Sequence, residues 1–265
     1  MYPTIEILNV TIYTFGTLMA CTWILFFILL HKFSLERGVI RPIFTNIIPF
    51  TLAIFFFARI FHIMSDWLNE KFIFMELLSG NIWWFLHLFF IPQKYMFSLF
   101  GAVFGFILIF LIKTHSLKKD RLRYIDAIFF AFIYSSILGY IASLLGGQVY
   151  GIPFHSLASI TYTHIDSIVK DKAPLFPLAI LYVILTVGII IGITRWAKGK
   201  NLPDGFIGYI GIWAYSLMIV IGEFLSGSRK DMFYDYFHLS LTQIGALLGL
   251  IFAVLWILRL IQKRV

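Results

Sequence analysis

The chain has 265 residues, of which 60% are hydrophobic and only 13% are charged, and its mean hydropathy is +0.91. No soluble core of this size requires so much apolar surface, so the composition excludes a soluble globular protein and indicates an integral membrane protein. The formal charge of +8 would suggest a nucleic-acid partner in a soluble protein, but its placement along the chain argues against one. A single cysteine, Cys21, excludes an intramolecular disulfide and a cysteine-built metal site.

Seven apolar runs follow one another along the chain, and each is about long enough to cross a hydrocarbon layer, which takes ~17–25 residues of helix. They lie near residues 11–31, 43–64, 96–112, 124–146, 177–194, 206–225 and 240–258. We therefore predict an all-α integral membrane protein with seven transmembrane helices. Because no repeat, low-complexity tract or second domain is visible, we expect a single transmembrane domain over residues 1–265.

Basic residues concentrate in alternate connections between these runs. Fourteen of the 21 Lys and Arg residues lie there: Lys32, Arg37, Arg41, Lys113, Lys118, Lys119, Arg121, Arg123, Arg195, Lys198, Lys200, Arg259, Lys263 and Arg264. The positive-inside rule makes this face cytoplasmic, with the N-terminus outside and the C-terminus cytoplasmic. The first ten residues lack a basic region, and no small-residue cleavage site follows the first run. We therefore expect the first span to be a retained anchor rather than a cleaved signal peptide.

The two long connections fall on the outer face. Residues 65–95 contain the Trp-rich run 81–92, which is too short to span and is typical of a helix lying in the outer interface. Residues 147–176 form the second segment, whose aromatic and aliphatic content argues against disorder. A loop of ~30 residues is usually functional when it is ordered. Four glycines near its start predict either close helix packing or backbone that leaves the helix to admit a lipid headgroup: Gly139, Gly146, Gly147 and Gly151.

Few charged or polar residues interrupt the spans. Arg59 lies in the apolar stretch 51–64, and a guanidinium at that depth needs an anion, carbonyls or water. It either reaches the headgroups from a helix end or forms an internal anion site, for which a lipid phosphate is the natural anion. Glu223, at the outer end of span six, is either hydrated or paired with Arg59. Asp126 is interpreted as a capping carboxylate, and Gln243 as a lesser candidate for hydrogen bonding to a headgroup.

Other chemistry is weakly represented. The spacing of His164 and Asp166 would allow a general base with an orienting carboxylate, but two residues of separation in a loop is a weak indication. The sequence contains no HExxH, paired-cysteine, Walker or Gly-x-Ser-x-Gly motif, so we expect no metal and no cofactor.

In order and spacing, these features resemble the phosphatidylglycerol–prolipoprotein diacylglyceryl transferase family over nearly the whole chain. The matching segments are Ile12–Gly16, Ala58–His62, Ser98–Gly105, Asp126 with Gly139, Gly139–Gly151, Pro174–Pro177, Tyr215 with Glu223, and Ser240–Gln243. The resemblance implies seven spans and transfer of a diacylglyceryl group from phosphatidylglycerol to a lipoprotein cysteine. It also implies the bacterial-type cytoplasmic (plasma) membrane, with a phosphatidylglycerol-like phospholipid and the prolipoprotein signal peptide as partners.

The chain departs from the family pattern at the residues that carry the chemistry. Phe100 replaces the reactive histidine, and Phe176 a second histidine. Tyr140 replaces the signature arginine, and Ser143 replaces the signature asparagine. Gln148 replaces a glutamate. Ile219 and Ser226 each replace a further arginine. Two hypotheses follow: a divergent transferase with a rebuilt site, or a non-catalytic relative that binds phospholipid or the lipoprotein signal segment. A small transporter is disfavoured because no broken-helix pair is visible. The expected lipid-binding residues are Arg59, Tyr140, Gln148, Tyr150, Gly151, Glu223 and Gln243.

Overall fold

The computed structural model describes residues 4–7, 10–39, 47–69, 98–115, 120–164, 167, 169, 172–227 and 238–262. Within these ranges the chain forms one short hairpin followed by seven α-helices. The strands are β1 (Thr4–Ile7) and β2 (Val10–Tyr13), and the helices are α1 (Thr14–Glu36), α2 (Ile47–Asn69), α3 (Leu99–Thr114), α4 (Arg121–Gly146), α5 (Leu178–Ala197), α6 (Phe206–Gly222) and α7 (Leu241–Gln262). A 3-10 turn, Glu223–Leu225, continues α6.

Each predicted apolar run overlaps one of these helices. Five are long and apolar enough to cross a membrane by length and composition: α1, α4, α5, α6 with its 3-10 turn, and α7. The other two, α2 and α3, contribute shorter apolar segments, Ile47–Phe61 and Gly101–Thr114. The chain is therefore a helical membrane protein, whereas the count of seven spans and their orientation stay predictions. The interfacial helix predicted at 81–92 lies outside the described residues.

Within the described residues, the N-terminal hairpin is a pair of strands that the all-α prediction did not include. β1 and β2 pair antiparallel, with Thr4 opposite Tyr13 and Ile7 opposite Val10. Residues 10–12 are Val-Thr-Ile, β-branched side chains that favour extended backbone. The first helix consequently begins at Thr14, three residues later than the apolar run predicts.

The chain divides into two compact units, and unit 2 spans Ile43–Arg121. Within it α2 packs against α3. A Cβ atom at Gly101 would collide with the carbonyl oxygen of Phe57, and one at Gly105 would lie 2.5 Å from the carbonyl oxygen of Ala53. These two glycines therefore let the backbone of α3 approach that of α2, which is a common use of glycine between membrane helices.

Unit 1 comprises Met1–Pro42 and Leu122–Val265. Helix α6 packs against both α5 and α7, and a buried apolar cluster joins α4, α5 and α6. The rings of Tyr209 on α6 and Trp256 on α7 stack at 5.6 Å, and those of Phe33 on α1 and Phe130 on α4 lie 5.6 Å apart. The prediction of one domain over the whole chain stays a prediction.

A carboxylate on α4 ties three parts of unit 1 together. Asp126 is 1% exposed, and its side chain accepts hydrogen bonds from the backbone nitrogens of Gly208 (2.6 Å) and Gly205 (3.0 Å). Arg37, just after α1, donates to the same carboxylate at 3.2 Å. Asp126 is thus a capping carboxylate, as predicted, but it caps α6 and not its own helix. Because it lies in the second turn of α4, the first N–H groups of α4 are out of its reach.

Candidate lipid-binding site

Three helices of unit 1 each contribute a tyrosine to one group, the tyrosine cluster: the buried Tyr182 on α5 and the partly buried Tyr140 on α4 and Tyr215 on α6. The hydroxyl oxygens of Tyr140 and Tyr215 lie 2.5 Å apart, and the rings of Tyr140 and Tyr182 are centred 5.1 Å apart. Leu178 and Met218 pack with them in a common apolar cluster. The phenols therefore lie in a poorly solvated environment, where a hydrogen bond is stronger and an unmade one is costlier than in water.

The hydroxyl of Tyr182 is the distinctive group of this cluster. Tyr182 is 3% exposed, and its oxygen has no hydrogen-bond partner among the described residues. Gly222, the last residue of α6, lies against the ring, since a Cβ there would come 2.7 Å from the phenolic oxygen. The next residue, Glu223, is 8% exposed and acts electrostatically on the same phenol. The Tyr182 hydroxyl thus keeps its capacity to donate and to accept, beside a buried carboxyl group.

Glu223 is connected to the start of α7. Its Oε1 accepts a hydrogen bond from Ser240 Oγ at 3.3 Å. Ser240 Oγ accepts from the Gln243 backbone nitrogen at 3.2 Å, and Gln243 Oε1 accepts from the Ser240 nitrogen at 3.0 Å, which is a reciprocal capping box. The Gln243 amide also donates to the Val220 carbonyl at 3.4 Å, and Gln243 is fully buried. Helix capping accounts for Gln243, and its contact with a headgroup stays a prediction.

Gln148 follows the end of α4. Gly147 there adopts φ +72°, and the Gln148 nitrogen donates to the Ser143 carbonyl at 2.9 Å, which closes the helix. The side-chain Nε2 of Gln148 is buried and has no hydrogen-bond partner among the residues described. Like the Tyr182 hydroxyl, it is a donor available to a group outside the described protein.

Tyr150 and Gly151 lie where three chain segments meet, residues 150–153, 174–176 and 225–227, which we name the three-segment junction. Its backbone hydrogen bonds run from Gly151 N to Phe176 O (2.9 Å), from Ile152 N to Leu225 O (2.9 Å) and from Gly227 N to Tyr150 O (3.0 Å). A Cβ at Gly151 would lie 2.7 Å from the Phe176 carbonyl oxygen. The junction therefore requires glycine at 151 and orders the start of the loop between α4 and α5.

Among the four glycines near this end, close helix packing is found at Gly146, whereas admission of a headgroup stays a prediction. Gly146 packs a helix closely, since a Cβ there would come 2.8 Å from the Cβ of Phe15 on α1. Gly147 and Gly151 lie in backbone that has left the helix. At Gly139 a Cβ would make only an ordinary contact, 3.7 Å from Thr22.

Arg59 lies on α2, in unit 2, and is only 2% exposed. This exposure excludes an arginine that points into bulk water, while the choice between reaching the headgroups and forming an internal anion site stays a prediction. Glu223 belongs to unit 1, so the predicted pairing of Arg59 with Glu223 stays a prediction.

Most positions where the resembled family carries its reactive or charged residues hold neutral, packed side chains here. Phe176 packs edge-on against a neighbouring aromatic ring at 5.4 Å, and Ile219 packs on the tyrosine cluster. Ser143 Oγ donates to a carbonyl of its own helix at 2.9 Å, and Ser226 is 6% exposed within the three-segment junction. The side chain of Phe100 lies outside the described residues.

Tyr162 and His164 are further titratable groups that the structure describes in the loop after α4. Burial raises the pKa of Tyr162, in the loop after α4, to about 12, and its protonated hydroxyl donates to the Leu144 carbonyl at 3.1 Å. His164 is half-buried, while Asp166 lies outside the described residues, so that predicted pair stays a prediction. Within the described ranges no three His, Cys, Asp or Glu side chains group as metal ligands do. Among the described residues, the site thus offers neutral hydroxyls, an amide and one carboxyl group, which suits recognition by hydrogen bonds.

The fold and this site define a class: a multi-pass helical membrane protein with a buried and mostly neutral polar site near one end of its helices. No protein-family model matches the sequence, and no curated protein matches it either.

Sequence reasoning missed Tyr182. It lies within the apolar run 177–194, in the first turns of the helix, where a tyrosine is ordinarily interpreted as an interfacial aromatic residue. The signal in the sequence was a tyrosine early in span five, Tyr182, together with a carboxylate late in span six, Glu223. Those two positions meet in an antiparallel helix pair, but only if the two helices are neighbours.

Proposed function

We propose that this chain is a non-catalytic phospholipid-binding membrane protein built on the plan of the diacylglyceryl transferases, with its site at the tyrosine cluster beside Glu223. The observation that carries the proposal is the buried Tyr182 hydroxyl, which has no hydrogen-bond partner among the described residues. Leaving such a group unsatisfied costs ~1–3 kcal/mol, so a retained one favours a ligand that completes it.

The chemistry of the site suits a headgroup that carries hydroxyls and a phosphate, as phosphatidylglycerol does. The Tyr182 hydroxyl both donates and accepts, Glu223 accepts, and Gln148 Nε2 donates, so together they match the donors and acceptors of a glycerol headgroup. Arg59, in unit 2, is proposed by itself as a phosphate-binding cation, because a guanidinium binds phosphate oxygens in pairs. Tyr150 and Gly151 would shape the entrance through the three-segment junction.

The topology proposed for this function has seven spans, with the N-terminus outside and the C-terminus cytoplasmic. The basic connections after α1, α3, α5 and α7 support this orientation. The tyrosine cluster then lies toward the outer leaflet of a bacterial-type plasma membrane. Phospholipid reaches this depth by lateral diffusion, and an apolar signal segment has the same access.

We favour binding over group transfer because neutral side chains occupy the positions that the resemblance assigns to reactive residues. Transfer to a thiol needs a group that manages the thiol proton and cations that stabilise the departing phosphate. Phe176, Ile219 and Tyr140 are neutral and packed into protein. Loss of one positioned oxyanion donor costs ~2.7–4 kcal/mol, and several family positions of this kind are changed here.

The second candidate is a divergent diacylglyceryl transferase, and Glu223 is the observation that favours it. This buried carboxyl group, close to the Tyr182 phenol, has the surroundings of a general base. In that scheme Glu223 would accept the thiol proton and Tyr182 would donate to the substrate.

Reconstitution with lipid and peptide separates the two candidates. The purified protein is incorporated into vesicles that contain phosphatidylglycerol, together with a lipobox peptide, and the peptide is analysed by mass spectrometry. The binding proposal expects no diacylglyceryl adduct above a protein-free control, together with phosphatidylglycerol that co-purifies with the protein. An adduct that is lost in Glu223→Gln would establish the transferase in its place. Absence of both adduct and bound lipid would reject both candidates.

A further inference from the structure

A short loop projects from the three-segment junction, and we name residues 152–160 the apolar finger. Its base is fixed by backbone hydrogen bonds to the strand-like segment before α5. These run from Phe154 N to Pro174 O (2.8 Å), from Ile160 N to Leu175 O (2.9 Å) and from Leu175 N to Ile160 O (2.9 Å). At the tip, the Ser159 nitrogen donates to the Ser156 carbonyl at 3.0 Å and forms a turn. The finger is therefore a fixed projection with a defined tip.

Most exposed side chains of the finger are apolar, and His155 and Ser156 are the exposed polar ones. Leu157, at the tip, is 108% exposed, Ile152 is 42% exposed and Phe154 is 38% exposed. The sequence from 147 to 165 contains no Lys, Arg, Asp or Glu. A loop held in water over this length ordinarily carries charged residues, so both composition and exposure indicate an apolar surrounding.

The position of the finger identifies that surrounding. Its base is hydrogen-bonded to Leu225, the last residue of one candidate span, and it lies in the loop between Gly146 and Leu178, the end and the start of two others. Three apolar helices therefore end or begin within a few residues of its base. Spans of this length leave the hydrocarbon layer at their ends, so the base of the finger lies at that boundary. The apolar side chains of the finger then continue the lipid-facing surface of the spans.

We propose that the apolar finger is an interfacial anchor that inserts Leu157, with Ile152 and Phe154, into the lipid leaflet next to the tyrosine cluster. Removing these side chains from water is favourable in proportion to their apolar area. The polar residues between them, His155 and Ser156, match the headgroup layer, where amphipathic segments of membrane proteins lie. The anchor does not depend on the proposed headgroup site, since it rests on other residues.

Spin-label accessibility in lipid vesicles tests this placement. Cys21 is the only cysteine, so Cys21→Ser gives a background in which Leu157→Cys, Ile184→Cys and Lys198→Cys are each labelled with a nitroxide. Ile184, 61% exposed on α5, serves as the lipid-facing reference, and the exposed Lys198, between α5 and α6, as the aqueous reference. Each variant is reconstituted in phosphatidylcholine–phosphatidylglycerol vesicles, and the nitroxide is exposed to oxygen and to a water-soluble nickel chelate.

The proposal expects the oxygen-to-nickel accessibility ratio at position 157 to be several-fold above that at position 198 and close to that at position 184. A ratio equal to the aqueous reference would overturn the anchor. Low accessibility to both reagents would place the tip against protein and would overturn it equally. If Leu157→Cys does not reconstitute, Phe154→Cys is read against the same two references with the same criteria.

Discussion

The phenolic oxygens of Tyr140 and Tyr215 lie 2.5 Å apart and join α4 to α6 inside unit 1. In the resembled family an arginine is expected at the first of these positions. In this chain the position holds a tyrosine whose neutral hydrogen bond joins two helices. Tyr140 therefore supports helix packing, while the neighbouring Tyr182 hydroxyl has no hydrogen-bond partner among the described residues.

Tyr140→Phe should reduce the free energy of unfolding by ~1–3 kcal/mol, because it leaves the buried Tyr215 hydroxyl without this partner. Removing both hydroxyls in Tyr140→Phe/Tyr215→Phe should recover part of this loss, since replacing both partners is cheaper than orphaning one. Denaturant unfolding in detergent micelles measures all three variants. A double variant whose loss equals the sum of the two single losses would show that the two hydroxyls are not coupled.

Asp126→Asn should destabilise unit 1 by about 2–4 kcal/mol, because a buried carboxylate that caps α6 and pairs with Arg37 loses its charge. Asp204→Asn is the matched control. Its pair with Arg123 is short, 2.9 Å, but both side chains are 40% or more exposed. An exposed pair of this kind contributes ~0–1 kcal/mol. Comparable losses in thermal or denaturant unfolding for the two variants would contradict the burial argument.

Gly151→Ala should separate the three-segment junction. The added Cβ would lie 2.7 Å from the Phe176 carbonyl and 3.0 Å from the Leu225 carbonyl, so the backbone must shift. Gly188→Ala, on α5, is the control, since its Cβ would meet nothing within 4 Å and alanine favours helix. We expect faster proteolysis of the loop between α4 and α5 in the first variant and no change in the second. Equal protease resistance would show that Gly151 is dispensable.

Alkaline pH should weaken the packing of Tyr162. Because burial raises the pKa of this phenol to about 12, the folded state holds the proton more tightly than the unfolded state, whose phenol titrates near 10. The stabilising contribution is complete below about pH 10 and is lost as the pH rises from there through 12. Tyr162→Phe should lack this dependence. Unfolding free energies of the two proteins across that range provide the measurement, and parallel pH curves would refute the assignment.

The positions of the seven helices were predictable from the sequence because apolar runs and the gaps between them are local properties. The capping box of Ser240 and Gln243 was equally visible, as Ser-x-x-Gln before an apolar run, although we interpreted Gln243 as a headgroup ligand. The N-terminal hairpin was missed because its β-branched residues run directly into the first apolar helix.

What the sequence did not reveal depends on contacts between distant residues. The partner of Asp126 is the backbone of residues 205–208, about eighty positions away, and no local signal names the helix that a carboxylate caps. The role proposed for Tyr182 depends on the packing of α5 against α6, which no local sequence pattern predicts. Because Gly222 has no side chain, the ring of Tyr182 lies against the residue just before the 3-10 turn that contains Glu223.

The affinity of Tyr182→Phe for phosphatidylglycerol tests the central claim most directly. The substitution removes one hydroxyl and keeps the ring, and Tyr209→Phe, a buried tyrosine on α6 that stacks on Trp256, is the matched control. One neutral hydrogen bond is worth ~0.5–1.5 kcal/mol, so native mass spectrometry should show binding weakened about 2- to 13-fold.

In lipid-free detergent the same variant should be no less stable than the parent protein, because it removes a hydroxyl that has no hydrogen-bond partner among the described residues. We predict that Tyr182→Phe binds phosphatidylglycerol more weakly and keeps its stability. We also predict that the lipid affinity of the Tyr209→Phe control is unchanged. Phosphatidylglycerol affinity that is the same in Tyr182→Phe and in the parent protein would contradict the proposed site.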